Sequence, residues 1–228
     1  MTFTIKYNTF NRKYMLVIID NGHGVNTAGK CSPDKRLLEY KWAREIAQLL
    51  QEQLKAHGIE AVRIVTEEAD INLKERCRRA NALCDKYGTA NCIFVSIHAN
   101  AAGGDGKWKS AGGWCVYTSP GKTKADTLAT CLWNEANVAL APYAERFRVL
   151  QAKGAYDSKQ VPFRADWSDG DPDYEARFTV LTGTKCPAVL TESLFQDNKS
   201  DMEYLLSEEG KAAIVKLHVD GILKYIGK

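Results

Sequence analysis

Three short apolar segments of the chain lead directly into side chains that could bind a metal. Residues 15–20 (MLVIID) lead into His23, residues 92–97 (CIFVSI) into His98, and residues 188–191 (AVLT) into Glu192. If these segments are neighbouring parallel strands, their carboxyl ends meet at one edge of the sheet. We therefore expect the two histidines and the glutamate to converge there.

Two imidazoles and a carboxylate around an open coordination position form a common catalytic zinc site. Zinc lowers the pKa of a bound water from about 15.7 towards roughly 7, which supplies hydroxide at neutral pH. A second carboxylate, not bound to the metal, is then needed to accept and return protons. Glu39, at the head of a predicted helix, and Glu45, almost two turns further along it, are further candidate carboxylates.

Each candidate residue also has an ordinary structural explanation when it is taken alone. A histidine after a strand is more often structural than a ligand, and Glu39 could simply favour the dipole at a helix N-terminus. His57 and His218 fall on predicted helices, and we interpret both as structural. The hypothesis of a metal site therefore depends on the combination of residues.

Predicted strands and helices alternate along the chain. The strands are predicted at residues 15–20, 61–66, 92–97, 114–118 and 188–191, and the main helices from residue 37 to Gly58 and at residues 73–87, 124–141 and 208–225. This order predicts an α/β fold, with a twisted, mainly parallel sheet covered by helices on both faces. Residues 1–14 are interpreted as an N-terminal arm, and residues 15–228 as one catalytic domain with an insertion at about residues 151–175.

Composition narrows the classes of function. The formal net charge is only +3, without a long basic block, so nucleic acid is not an expected partner. No apolar stretch approaches the roughly 20 residues of a membrane span, and the N-terminus lacks the apolar core of a secretory signal. The seven cysteines form no CxxC pair, which argues against a disulfide framework and a cysteine zinc site.

Four motifs, in a fixed order, resemble the zinc-dependent N-acetylmuramoyl-L-alanine amidases that act on bacterial cell walls. They are IIDNGHG (18–24), LEYKWAREIAQLL (38–50), SIHAN (96–100) and PAVLTESLFQDN (187–198), and LKERCRRAN (73–81) is similar to a further helix of the family. The similarity runs from about Met15 to the C-terminus and is poorest at residues 151–175. The chain departs from the family pattern at Asn21, Val25 and Thr191, and Ser193-Leu194 replaces a Thr-Gly pair.

The resemblance implies a role for each residue of the site. His23, Glu39 and His98 would be the ligands of one Zn²⁺ ion, and Glu192 the catalytic acid and base. Glu39 is preferred to Glu45 because it aligns with the glutamate at the head of the family's helix. Substrate contacts are predicted for two further residues, Asn100 and Arg76.

The resemblance also implies the reaction, which is hydrolysis of the amide bond between the lactyl group of N-acetylmuramic acid and the L-alanine of the stem peptide. Two alternatives are another zinc amidase or peptidase that cuts wall peptides, and a non-catalytic relative that binds the wall. We expect a monomer that is made in the cytoplasm and acts on the wall, as a phage-type lysin does. Recognition of the wall is predicted in the insertion, where Tyr156, Trp167 and Tyr174 either contact substrate or anchor the loop.

Overall fold

The computed structural model describes residues 15–228, so the predicted arm at residues 1–14 lies outside the described residues. Its sheet contains six strands, which are β1 (Leu16–Asn21), β2 (Glu60–Arg63), β3 (Cys92–Asn100), β4 (Cys115–Thr118), β5 (Tyr174–Glu175) and β6 (Ala188–Phe195). Their spatial order is β2-β1-β3-β6-β4-β5. The strands β2, β1, β3 and β6 are parallel to one another, whereas β4 is antiparallel to β6.

Helices cover both faces of this sheet. They are α1 (Glu39–Ala56), α2 (Leu73–Tyr87), α3 (Lys124–Ala139), α4 (Ala141–Gln151), α5 (Thr179–Thr182), α6 (Lys199–Leu206) and α7 (Glu208–Ile226). The larger apolar core lies between the sheet and helices α1, α3, α4, α6 and α7. The smaller core lies on the opposite face, beneath α2 and α5. The predicted α/β fold with a mainly parallel, doubly covered sheet is confirmed.

The two central strands extend further than the sequence predicts. β3 continues to Asn100 and β6 to Phe195, so His98 and Glu192 lie within strands rather than after them. The prediction ended each strand where its apolar run ends. Backbone pairing between β3 and β6 nevertheless continues through the polar residues, because Ser96 and His98 alternate with the buried apolar residues Ile97 and Ala99.

The single helix predicted at residues 124–141 is in fact two helices. α3 ends at Ala139, and α4 begins at Ala141 with Pro142 in its first turn. Proline is favoured there because the first helical N–H groups have no intrahelical partner. The short elements β5, α5 and α6 were not predicted. The strand β5 has only 2 residues, and the helices α5 and α6 have 4 and 8, which is too few to show a clear periodicity.

Residues 152–173 contain neither helix nor strand, apart from a bridge between Phe163 and Trp114. Tyr156 is buried there, and its hydroxyl donates to Asp201 at 2.7 Å, so this aromatic residue anchors the loop. Trp167 is exposed, although its ring meets the edge of Trp133 at a centroid distance of 5.5 Å. That this segment is an insertion stays a prediction.

A pair of carboxyl groups in this loop makes stability depend on pH. Asp173 accepts a hydrogen bond from the Thr118 hydroxyl at 2.5 Å, and its other oxygen is buried without a partner among the described residues. Burial, followed by the neighbouring Asp171, raises the pKa of Asp173 to about 7. The folded state therefore retains a proton that the unfolded chain releases near pH 4, and this side chain lowers stability as pH rises from about 4 to 7.

Asp173→Asn should therefore stabilise the protein at alkaline pH, because the amide is neutral and still accepts from Thr118. We expect the Tm to exceed that of the wild type by about 2–4 °C at pH 8 and by less at pH 5. Thermal unfolding followed by circular dichroism at both pH values measures the difference. An equal offset at the two pH values would show that the carboxyl does not titrate between them.

Candidate metal centre and catalytic site

The turn after β1 carries His23 into the site. Gly22 packs against His98 so closely that a Cβ atom would lie 2.4 Å from the imidazole carbon Cε1, so a larger residue does not fit. His23 itself has a left-handed backbone, with φ of 59°. Its carbonyl accepts hydrogen bonds from Arg44 at 3.0 Å and from Arg76 at 3.4 Å. Two arginines thus hold the turn in a conformation that non-glycine residues rarely adopt.

Arg76, on α2, is the centre of the network that supports this turn. Its buried guanidinium pairs with Asp20 at 2.7 Å and Asp70 at 2.8 Å, and donates to the Asn21 carbonyl at 2.6 Å. A buried arginine needs such partners, because an unpaired charge in the interior is costly. Arg76 also lines the cavity at the site. Its predicted role as a substrate contact stays a prediction, beside the positioning role that these contacts describe.

Glu39, the first residue of α1, lies between the two histidines. Its side chain is 1% exposed, and one carboxylate oxygen is 3.0 Å from Nδ1 of His98 and 3.5 Å from Nε2 of His23. The Ala99 N–H donates to that oxygen at 3.2 Å, and Gln196 donates to the other at 3.1 Å. Glu45 instead is 46% exposed and pairs with Lys211 at 2.8 Å. The structure therefore brings Glu39, and not Glu45, to the histidines.

His23, Glu39 and His98 offer ligand atoms that all lie within 4.8 Å of one another. Three donors about 2 Å from one tetrahedral zinc ion lie roughly 3.3 Å apart, close to the 3.0 Å and 3.5 Å that separate the Glu39 oxygen from His98 Nδ1 and His23 Nε2. Two imidazoles with one carboxylate also form a donor set that zinc accepts. Among residues 15–228, this is the group of three that could hold a metal. The residues present therefore fit the predicted ion.

The charges of these three groups are strongly coupled. Burial lowers the pKa of His98, but the hydrogen bond and charge of Glu39 outweigh burial, so this pKa lies above its usual range. Burial raises the pKa of Glu39, but His98 and then His23 hold it below its ordinary value. Burial lowers the pKa of His23 to about 4, although Glu39 opposes the shift. A neutral His23 imidazole at physiological pH has a free lone pair for a metal.

Glu192 lies directly opposite His98 in the pairing of β6 with β3. Its Oε2 atom is buried and has no hydrogen-bond partner among the described residues. Burial, and then the negative charge of Glu39, raises the pKa of Glu192 to about 7 against the opposing charge of His98. A carboxyl group with a pKa near neutrality can both accept and donate a proton.

A β-bulge follows Glu192 immediately. Asn100 pairs with Phe195, so three residues of β6 match two of β3 after the His98–Glu192 pair. Leu194, within the bulge, has φ of 61° and is fully buried. A left-handed leucine costs about 1–2 kcal/mol, which burial of its side chain, worth about 1.5–3 kcal/mol, offsets. This accounts for a leucine where the family pattern has glycine, and the bulge turns the strand beside the site.

The remaining candidates lie around this centre or away from it. Asn100 follows His98 on the same face of β3, and its side-chain oxygen accepts from the Ala101 N–H at 2.8 Å. Its substrate contact stays a prediction. His57 is exposed, and His218 is buried on α7, where Nε2 lies 2.9 Å from the Thr191 hydroxyl. Neither histidine reaches the site, as the sequence indicates.

A cavity of about 450 Å³ opens above the metal group and Glu192. Besides His23, His98 and Glu192, its wall includes basic and apolar side chains that the sequence did not single out, namely Lys30, Leu73, Arg177, Phe178, Val180 and Leu190. Gln196, which donates to Glu39, was also missed, although it lies inside the PAVLTESLFQDN motif. No local pattern in the sequence indicates Arg177 and Phe178, because they reach the site from a segment without periodicity.

Fold and site together define an α/β protein with a candidate metal centre at the carboxyl edge of its sheet. The family model described as N-acetylmuramoyl-L-alanine amidase matches residues 17–224. The chain belongs to this family, and the enzyme class predicted from the sequence is confirmed.

Individual relatives agree with this assignment. The N-acetylmuramoyl-L-alanine amidase CwlM of Bacillus licheniformis is 25% identical over 210 residues, which is 91% of this chain and 67% of the relative. The endolysin of Bacillus phage SPP1 is 26% identical over 213 residues, 92% of this chain and 66% of the relative. The chain thus spans about two thirds of each relative.

A solved structure is similar in fold. The N-acetylmuramoyl-L-alanine amidase from Clostridium difficile 630 superposes with a TM-score of 0.71 at 23% identity, covering 94% of this chain and 98% of that one. None of the helices described at residues 15–228 has the length and apolar character needed to cross a membrane.

Proposed function

We propose that the chain is a zinc-dependent amidase that cuts the bond between the N-acetylmuramic acid lactyl group and the L-alanine of the stem peptide. The observation that carries this proposal is the group of His23, Glu39 and His98, whose donor atoms lie within 4.8 Å of one another. This group borders a cavity that Glu192 also lines. Family membership supplies the class of substrate.

In the proposed mechanism, His23, Glu39 and His98 would hold the ion, which would supply Lewis-acid chemistry when bound. Glu192 accepts a proton from the attacking water through its unpartnered carboxylate oxygen. The water oxygen bonds to the lactyl carbon, and the C–N bond to alanine breaks. Glu192 then returns the proton to the leaving amine, so that it ends the reaction as a carboxylate.

Two alternatives share the fold of this proposal. A zinc peptidase that cuts elsewhere in the wall peptide would share the metal group and Glu192. A wall-binding relative without activity would need neither the unpartnered Glu192 nor the cavity above the metal group. We favour hydrolysis for this reason, and we favour the amidase bond because the matched family and the relative from Bacillus licheniformis are named for it.

The site of action follows from the proposed substrate. We place the working enzyme at the peptidoglycan of the wall, as a monomer made in the cytoplasm with a lysin-type role. The similarity to a phage endolysin supports that role. Residues 1–14 as an arm, residues 15–228 as the catalytic domain and residues 151–175 as a wall-recognising insertion belong to the same proposal.

Removal of the metal and mapping of the products test the proposal directly. Treatment with a chelator should abolish hydrolysis of purified sacculi, and added zinc should restore it, because three ligands hold the ion in an open site. Released peptides should carry a free N-terminal alanine, detectable by amine labelling and mass spectrometry. Undiminished hydrolysis in a sample shown to be metal-free contradicts the zinc mechanism, and a different new N-terminus contradicts the assigned bond.

A further inference from the structure

A shelf of aromatic and basic side chains extends from the candidate site across the outer strands of the sheet. We call it the β4–β5 shelf, and it consists of Tyr117, Arg164, Tyr174, Arg177 and Phe178. Cys115 pairs with Glu192, and Tyr117 pairs with Leu190. Because side chains alternate along a strand, Tyr117 lies on the same face of the sheet as Glu192. Tyr174 pairs with Tyr117 and therefore shares this face.

Three rings form the apolar part of the shelf. The Tyr117 ring lies 5.4 Å from that of Tyr174 and 5.2 Å from that of Phe178, measured between centroids. Both tyrosines are half-buried, and Phe178 is 38% exposed. Phe178 also lines the cavity that contains Glu192. The rings thus offer a continuous apolar surface beside the acid and base of the reaction.

Arg164 reaches this surface from the loop before β5. The backbone N–H of Arg164 donates to the Trp114 carbonyl at 2.9 Å, beside the β-bridge between Trp114 and Phe163. Alternation from Phe163 places the Arg164 side chain on the face of Cys115 and Glu192. Its guanidinium lies over the Phe195 ring, 5.1 Å from the centroid, which restricts its position.

Arg177 adds a second positive charge at the cavity. It lines the same wall as His98 and Glu192, and its side chain is exposed. Within residues 15–228, the ion pairs include neither Arg164 nor Arg177, whereas Arg76, Arg78 and Arg79 on α2 all pair with carboxylates. Two guanidinium groups beside an active site therefore remain available for an anionic group of a ligand.

We propose that the β4–β5 shelf binds the stem peptide of the substrate, with Arg164 and Arg177 contacting a peptide carboxylate. This inference rests on the proposed amidase function. The scissile bond joins a glycan, whose groups near the cut are neutral hydroxyl and acetamido groups, to a peptide that ends in a carboxylate. Arg164 and Arg177 place two guanidinium groups beside the three rings, whereas Lys30 is a single ammonium group elsewhere in the cavity wall. The combination of two guanidinium groups and apolar rings favours the peptide on the β4–β5 side of Glu192, where the rings pack against its alkyl groups.

Equilibrium binding tests this proposal without cleavage. The protein carries Glu192→Gln, and the two probes are a muramoyl peptide with free carboxylates and the same compound with those carboxylates amidated. Isothermal titration calorimetry should show binding to the acidic probe about ten-fold tighter than binding to the amidated one. Arg164→Gln and Arg177→Ala should each weaken binding of the acidic probe several-fold and leave the amidated probe unchanged. Arg148→Ala, on the exposed side of α4, is the matched control and should change neither.

The outcomes separate this proposal from the proposed function. Equal affinity of the parent for both probes, or no binding of either, overturns the peptide subsite whatever the enzyme cleaves. The proposal is also overturned if Arg177→Ala lowers the affinity for both probes equally. Because Arg177 is exposed, loss of folding does not explain such a result. Failure of the proposed function has a different result, in which wild-type protein releases no peptide with a free N-terminal alanine from sacculi while the binding difference persists.

Discussion

Replacing Glu192 with glutamine should lower turnover on sacculi by roughly 10²–10⁴-fold while leaving the metal content unchanged. Glutamine keeps the length of the side chain, but it can neither accept the proton of the attacking water nor return one to the leaving amine. The half-buried position opposite His98 should tolerate the neutral amide well, because desolvation already raises the pKa of this carboxyl to about 7. Zinc analysis and initial rates on the same preparation measure both quantities.

The control for this variant is a change that removes a nearby carboxylate outside the site. Glu175→Gln serves this purpose, since Glu175 is exposed on β5 and its side chain accepts from the Gly121 N–H. We expect activity close to that of the wild type. A Glu192→Gln protein that keeps more than half of the wild-type rate would remove Glu192 from the reaction.

Replacing Glu39 with alanine should remove both the metal and the activity. Its carboxylate is the shared contact of the two histidines, at 3.0 Å from His98 and 3.5 Å from His23. With one of three protein ligands missing, an open site loses most of its affinity for zinc. His23→Ala and His98→Ala should behave in the same way, with zinc content by elemental analysis and the rate on sacculi as the two measurements.

Glu45→Ala is the matched control for Glu39→Ala. Both residues belong to α1, but Glu45 is largely exposed and pairs with Lys211. We expect full zinc content and a nearly unchanged rate, because exposed ion pairs contribute little to stability. If Glu192→Gln emptied the site while Glu39→Ala stayed loaded and active, the proposed roles of the two carboxylates would be reversed.

The sequence predicted the centre of the fold better than its periphery. β1, β3 and β6 are apolar runs buried on both faces, and α2 is bounded by the Asn72 cap, whose side chain accepts from the Glu75 N–H, and by Gly88. Apolar runs and helix-terminating residues are local features of the sequence, so they can be recognised without knowing the rest of the fold. The ends of β3 and β6 were predicted too short, since pairing between neighbouring strands extends them and is not visible in one strand alone.

The residues of the candidate site also differ in how well the sequence predicts them. His23, Glu39, His98 and Glu192 lie in motifs with recognisable residue types, and the structure brings all four together. Arg177 and Phe178 lie at the site only because β5 pairs with β4, and no local pattern indicates that pairing. Asp20 and Asp70 pair with Arg76 beneath the His23 turn, and that contact depends on where α2 packs. Such long-range partners follow from topology rather than from sequence spacing.

The pairing of β3 with β6 joins two parts of the chain that supply different halves of the chemistry. Every residue of the metal group precedes Asn100, whereas Glu192 follows Ala188. A one-residue slip between these strands would turn Glu192 to the opposite face of the sheet. If the backbone were divided within residues 152–173, one fragment would carry the metal ligands and the other the acid and base. Recovery of hydrolysis on mixing such fragments would then report reassembly of the central sheet in its native register.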